Sequence, residues 1–353
     1  MQNDPIRVTN ADLNSPQVEE FLAMRRELQR AIGEIEPQSL FRRVFYSSWF
    51  YLGLSSALGA FIAWLLLEPW FDESAVGEGF VLANFLIFPA VAGCAGLFLG
   101  ASEGLMCRNL SRALLCGIVG LGIGFAGGMV ALFPAGMVFG IMLQIAVAFW
   151  KNPQPNQMPT GFALLILMMG RAAAWAIAAL PAGLGQGTAL KERRVVLNGL
   201  VGGALGGLLG GLLFDPISIY FNQMDRATAS RGVGFTIIGL LVGVFVGLVE
   251  GWTKSAWLMM RAGPLAGKQF VLYREATVLG SSPKAEIYLF KDDAIEPKHA
   301  ILYNRGGRFE IEDCQTADGT YVNGMPVARQ VLNSGDQIVL GKTVLEFHIK
   351  ESN

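Results

Sequence analysis

The chain has 353 residues, of which 52% are hydrophobic and only 16% charged, against about a quarter charged in soluble domains. Its 27 basic and 28 acidic residues leave no cationic excess to hold a polyanion, so nucleic acid is not an expected partner. Residues 44–67, 79–102, 113–150, 152–170, 195–214 and 232–249 contain no Asp, Glu, Lys or Arg. A membrane span needs about 20 apolar residues, so a polytopic membrane protein is predicted.

Residues 1–15 are polar and predict no regular element, and the absence of a basic start before an apolar core argues against a cleaved signal peptide. Ser15-Pro16 reads as a helix start. Phe21, Met24, Leu28, Ile32 and Ile35 then fall on one helical face, which predicts an amphipathic helix lying on the protein or on a membrane surface. Spans are expected over about 41–67 and 80–104, separated by an acidic loop with Glu68, Asp72, Glu73 and Glu78. The long run 113–150 is broken at Phe133-Pro134 and is read as one span followed by an interfacial or re-entrant piece. Further spans are expected over 161–187, 195–214 and 232–251, the last two joined by a loop holding Asp215 and Asp225.

With six spans, the basic clusters at Arg42-Arg43, Arg108/Arg112, Lys191–Arg194 and Lys254/Arg261 all fall on one side. That predicts a multi-pass protein of the bacterial cytoplasmic membrane with both termini in the cytoplasm. Three helix hairpins read as copies of one unit. Each begins at an arginine (Arg43, Arg112, Arg194), has a glycine sixteen positions on (Gly59, Gly128, Gly210), and ends in Gly-x-x-Glu/Gln-Gly at 100–104, 183–187 and 247–251. Glycines at three- and four-residue spacing, such as Gly199, Gly202, Gly203, Gly206, Gly207 and Gly210, let helix backbones approach closely where lipid removes the hydrophobic drive. Glu103 and Glu250 oppose the dipole at helix C-termini. With Gln186 they are expected to meet Arg43, Arg112 and Arg194 in a polar clasp between hairpins, an ion or proton site being the alternative.

After Gly263-Pro264 short β-prone runs begin at Phe270 and continue to Ile349, separated by turn signals such as Arg305-Gly306-Gly307, Asn323-Gly324 and Ser334-Gly335-Asp336. That rhythm predicts an antiparallel sandwich. Within it, Val278-Leu279-Gly280, Ile295-x-x-x-His299-Ala300, Gly319-Thr320-Tyr321-Val322-Asn323-Gly324 and Leu332-x-x-Gly335-Asp336-x-Ile338-x-x-Gly341 resemble the forkhead-associated (FHA) domain, over about 265–349. The resemblance implies a β-sandwich that grips phosphothreonine peptides. In it His299 and Asn323 fix loops, Gly280 and Gly324 permit turns, and Thr320 borders the peptide site. It also implies an arginine after Gly280, a serine three residues before His299 and an asparagine before Gly319. This chain has Ser281, Glu296 and Asp318 there, with Lys284 and Lys298 nearby in sequence. Losing a guanidinium and adding carboxylates disfavours a dianionic phosphate.

The expected fold class is therefore a helical membrane bundle of about six spans in three repeated hairpins, plus a C-terminal all-β FHA-like sandwich. The expected domains are 1–40, 41–262 and 263–353. The candidate binding residues are Ser281, Glu296, Lys298, Asp318 and Thr320. No catalytic constellation is read from the two histidines, and Cys94, Cys107, Cys116 and Cys314 lack metal-ligand spacing, so neither cofactor nor metal is expected. The predicted function is a non-enzymatic membrane scaffold or signalling adaptor whose sandwich binds a cytoplasmic protein or peptide, with lipid around the bundle and homo-oligomerisation open. The alternatives are a small transporter or channel regulated by the module and a true phosphothreonine-dependent recruiter.

Overall fold

The computed structural model describes residue 23 and residues 39–71, 82–150, 159–222 and 227–350. The amphipathic helix expected around Phe21–Ile35 and most of the acidic loop after Glu68 lie outside the described residues. Contacts divide the chain into a helical unit, Val44–Lys254, and a second unit that contains Ser255–Asn353.

A short helix, α1 (Leu40–Phe45), precedes α2 (Ser48–Leu67), α3 (Leu82–Met106), α4 (Leu110–Ala148), α5 (Phe162–Ala179), α6 (Gly185–Leu190), α7 (Arg193–Asn222) and α8 (Ala227–Thr253). Among the described residues six helical segments are long and apolar enough to cross a membrane. Three details depart from the sequence reading. The run after Pro134 is not a separate piece, because α4, 39 residues long, continues through it to Ala148. A proline removes one helical hydrogen bond but need not end a helix whose remaining bonds are intact. At 1.5 Å per residue α4 is about 58 Å long, nearly twice the hydrocarbon thickness. The span expected over 161–187 is present as Phe162–Leu190, but a 3₁₀ turn, Leu180–Gly183, with Pro181 in its first turn, breaks its α-helical run. Asp215 is not in a loop: α7 carries it and Pro216 inside the helix.

The helices close a ring. Each of α2, α3, α4, α5, α7 and α8 packs on its predecessor, and α8 returns to α2. Where one hairpin meets the next, the repeated glycines do equivalent work: Gly100 lies against the backbone of Cys116, Gly183 against Gly199, and Gly247 against Trp49. A side-chain carbon at any of these three would collide with main-chain atoms of the facing helix. The glycines sixteen positions into each unit are less uniform. Gly59 meets Cys94 and Gly210 meets Ile238 within their own hairpins, whereas Gly128 turns to Pro89 of the preceding one.

Eleven strands are present among the described residues: β1 (Ala256–Ala262), β2 (Gln269–Val271), β3 (Ala276–Gly280), β4 (Ile287–Tyr288), β5 (Ala300–Arg305), β6 (Arg308–Asp313), β7 (Thr320–Val322), β8 (Met325–Val327), β9 (Arg329–Val331), β10 (Gln337–Leu340) and β11 (Thr343–Ile349). They form two sheets, ordered β2-β1-β11-β10-β7-β8 and β4-β3-β5-β6-β9. Their inner faces bury Leu258, Leu279, Ile311, Ile338, Leu345 and Phe347 almost completely. The boundary expected at 262/263 moves upstream, because β1 is an inner strand that pairs with both β2 and β11. Its residues Ala256, Leu258 and Met260 are buried while Trp257 and Met259 are less so. This period-two alternation is obscured in sequence by the apolar span just before it.

Gly199→Val should destabilise the helical unit by about 1–3 kcal/mol or more, the range for overpacking. Gly122→Ala, with nothing within 4 Å of its added carbon, should leave the melting temperature in detergent equal or slightly higher. A fragment starting at Ser255 should show a cooperative unfolding transition by near-ultraviolet circular dichroism. One starting at Leu265, and so lacking β1, should not.

Candidate functional site

The candidate ligand edge of the sandwich is built from three loops that leave the strands and return to them. The strand β3 ends at Gly280, whose missing side chain lets the backbone sit against the carbonyl of Pro297. The amide of Ser281 then donates to the Glu296 carbonyl at 2.9 Å, and the amide of His299 to the Leu279 carbonyl at 2.9 Å. These bonds hold the loop 281–286 beside the loop 291–299. The Glu296 side chain reaches a third loop, where Oε1 accepts from the Ala317 amide at 3.0 Å.

His299, fully buried, is the pivot. Its Nδ1 accepts from the Glu296 amide at 3.2 Å, so the ring proton belongs on Nε2. That nitrogen faces the Gly319 carbonyl at 3.1 Å and the Thr316 hydroxyl oxygen at 3.2 Å. Thr316 donates in turn to Asp313 Oδ1 at 2.9 Å, and Thr320 donates to the same oxygen at 2.7 Å. The Thr316 amide completes the set on Asp313 Oδ2 at 3.1 Å. Burial pushes the Asp313 carboxyl up, but these donors outweigh it, and the group ends below the usual carboxylate range.

A separate clamp fixes the β7–β8 turn. Asn323 and Gly324 both have positive φ, 51° and 78°, in the two-residue turn between paired Val322 and Met325; a type I′ turn requires that conformation. Asn323 Nδ2 donates to Asp336 Oδ1 at 2.8 Å, and Asn323 Oδ1 accepts from the Gln337 amide at 2.9 Å.

The sequence-derived candidates thus separate into two groups. Glu296, Lys298 and Asp318 are exposed and Ser281 is half-buried at this edge. Thr320, expected to border a bound peptide, is 1% exposed and its hydroxyl is committed to Asp313. It fixes the loop from below rather than offering its hydroxyl to a ligand. Sequence reasoning missed Asp313 and Thr316, whose spacing to His299 carries no periodic signal. It also missed Glu286, which accepts from the Val278 amide at 2.9 Å and from Arg274 at 2.7 Å.

In the helical unit, Glu103 receives a hydrogen bond from Gln186 Nε2 at 2.7 Å and lies 3.6 Å from Arg112. These are three of the six residues expected in the polar clasp. Arg194 lies in the first turn of α7, Glu250 in the last turn of α8 and Arg43 on α1. Two ion pairs were not anticipated, Glu68 with Arg231 and Arg171 with Asp215. The only sequence trace of the second was a lone charge within an apolar stretch. No group of three or more potential metal-ligating side chains occurs among the described residues.

A two-sheet sandwich whose loops are pinned from beneath by a buried histidine and a hydrogen-bonded carboxylate defines a loop-presenting protein-interaction module. Through it the chain belongs to the FHA family, whose domain model matches residues 277–341. The oxoglutarate dehydrogenase inhibitor of Corynebacterium jeikeium is 40% identical over 101 residues, 29% of this chain and 67% of that protein. The glycogen accumulation regulator GarA of Mycolicibacterium smegmatis is 35% identical over 128 residues, 36% of this chain and 75% of its own. The FhaA FHA domain, solved in complex with the intracellular domain of Rv3910, aligns with 27% of this chain and 100% of its own, at 24% identity and a TM-score of 0.25.

The lowered Asp313 carboxyl has a consequence for acid stability. Its ionisation favours the folded state fully above the unfolded carboxylate value of about 3.9, and this contribution is lost as pH falls through the lower folded value. Asp313→Asn should cost about 1–3 kcal/mol at neutral pH through weakened Thr316 and Thr320 bonds. Its stability should also fall less steeply with acid, as read by urea titrations between neutral pH and about pH 3.

Proposed function

We propose that this protein is a non-enzymatic, membrane-anchored adaptor. Its helical unit embeds in the bacterial cytoplasmic membrane, and its FHA module presents the 281–286, 291–299 and 313–319 loops to a cytoplasmic protein or peptide. The six apolar helices and the common side of the basic clusters support anchoring with both termini in the cytoplasm. The domains under this reading are an N-terminal cytoplasmic segment, a bundle ending at Lys254 and the FHA module from Ser255.

The proposal extends to what the module reads. A phosphate dianion is held by cations and by donors arranged around its oxygens. At this edge Glu296 is exposed and bridges two loops through the Ala317 amide, which supports a carboxylate where a phosphate would need a donor. Asp318 adds a second exposed carboxylate, and Ser281 supplies a hydroxyl in place of a guanidinium. The exposed Lys284 and Lys298 roughly balance the two acids without supplying a forked cation, which is the feature that makes phosphate recognition bidentate. The module therefore recognises its partner through shape and neutral hydrogen bonding, with phosphothreonine dependence weakened or absent.

The test is fluorescence polarisation of the detergent-solubilised full chain against matched phosphothreonine and unphosphorylated peptide libraries. Wild type should show no phosphate-dependent binding at about micromolar Kd, a level that corresponds to about 8 kcal/mol. The triple variant Ser281→Arg, Glu296→Ser, Asp318→Asn should gain phosphate preference by about tenfold or more, in line with a charged hydrogen-bond set. Micromolar phosphate-dependent binding by wild type would defeat this reading of the edge.

A further inference from the structure

The ion pair between α5 and α7 has a geometry that clasping alone does not account for. Arg171 Nε lies 2.9 Å from Asp215 Oδ1, with the Asp215 side chain fully buried and that of Arg171 25% exposed. The guanidinium carbon stands 5.0 Å from the Phe139 ring centre and 5.2 Å from that of Phe214, so aromatic rings hold the group in place. Asp215 lies on its Nε edge at ion-pair distance but without hydrogen-bond geometry, so that Nε and both Asp215 carboxylate oxygens are buried without a hydrogen-bond partner among the described residues. Among the described residues no hydrogen bond reaches its two Nη groups. Arg171 also lines a cavity of about 230 Å³, with Phe88, Leu132, Gly136, Phe139 and Trp175 among its walls. Every other lining residue is apolar. The Nη groups are not among the buried unpartnered atoms, so they are open to an acceptor that a ligand supplies.

The position along the helix limits the ligand. Asp215 is 22 positions on from Arg193, the first residue of α7, or about 33 Å at 1.5 Å per residue. The hydrocarbon core of a bilayer is about 30 Å thick. If α7 enters at its arginines, the pair therefore lies near the opposite interface, where the acidic head of an amphiphile resides while its tail points into the apolar layer. The cavity lies below the roughly 300–1,000 Å³ of drug-sized pockets, which suits one chain rather than two.

We propose that this cavity binds a single-chain amphiphile with an acidic head, an alkyl carboxylate or alkyl phosphate. The Nη edge of Arg171 would receive the head as a forked donor, and the chain would lie among Phe88, Leu132 and Phe139. Because Asp215 already balances the guanidinium charge, recognition rests on donor geometry more than on net attraction. Asp215 is a positioning residue here. The choice of an amphiphile and its route of entry rest on the membrane embedding proposed above.

Calorimetric titration of the full chain in uncharged detergent tests the site with dodecanoate, dodecyl phosphate, dodecanol and acetate. At least one of the two long-chain acids should bind saturably and about tenfold or more tighter than dodecanol, with acetate not binding. The tighter acid identifies the head group, a free fatty acid or a phosphate-bearing lipid. Arg171→Gln should abolish the preference of acid over alcohol. Gly136→Leu leaves the ion pair intact and adds a side chain where nothing lies within 4 Å; it should weaken binding by about tenfold while leaving the melting temperature unchanged. Binding of neither acid, equal binding of dodecanol, or an unaltered affinity in Gly136→Leu would overturn the assignment. Membrane association after an alkaline carbonate wash reports separately on embedding. Release by that wash would defeat the anchoring reading and leave the titration result standing.

Discussion

Close approach of helix backbones at glycine is the constraint on which the helical unit depends. At the three junctions between hairpins the main chain of one helix occupies the space where a side chain on the next would lie. The facing residues are Cys116, Gly199 and Trp49 for Gly100, Gly183 and Gly247. Contact at that range maximises dispersion between main chains. The same requirement at each junction produces a closed ring from three copies of one hairpin. Departures fall where the copies differ, at the 3₁₀ turn around Pro181 and in the extension of α4 beyond Pro134.

The sandwich depends on a different economy. Its core is ordinary apolar packing between two sheets, but the loops at its candidate edge have little apolar surface of their own. They are ordered by polar groups reached from below: buried His299 and Thr320 with half-buried Asp313 and Thr316 in one chain of hydrogen bonds, and exposed Asn323 with half-buried Asp336 in another. A fully satisfied network of this kind specifies one loop arrangement, since breaking any member leaves another unpaired. The loops' outward residues are then free to vary without loss of the scaffold. Ser281, Glu296 and Asp318 occupy that variable layer, and this separation is why membership of the FHA family carries the fold over more securely than the ligand.

Polar groups in the helical unit obey a stricter version of the same rule. Glu103 is met by both Gln186 and Arg112, and Glu68 by Arg231. Arg171 meets Asp215 at ion-pair distance only, and it also lines an apolar cavity. Under the membrane reading proposed above, an ionisable residue in such a segment commonly marks function rather than support.

Much of this architecture was legible in the sequence, for identifiable reasons. Span length and the absence of charge report helices directly, because hydrocarbon tolerates little else. The arginine and glycine spacing revealed the hairpin repeat, because each copy meets the same packing demand. The order of Gly280, His299, Gly319-Thr320 and Asn323-Gly324 identified the sandwich, because turns with positive φ and a buried loop-fixing histidine admit few residue types. Only the tertiary structure decided the rest. It assigned β1 to a sheet rather than to the preceding span, through pairing with strands distant in sequence. It placed Asp215 inside α7 against Arg171, and turned Thr320 inward onto Asp313. Each of these outcomes depends on a partner many residues away, and local periodicity carries no record of which distant group will arrive to satisfy a charge, a hydroxyl or a strand edge.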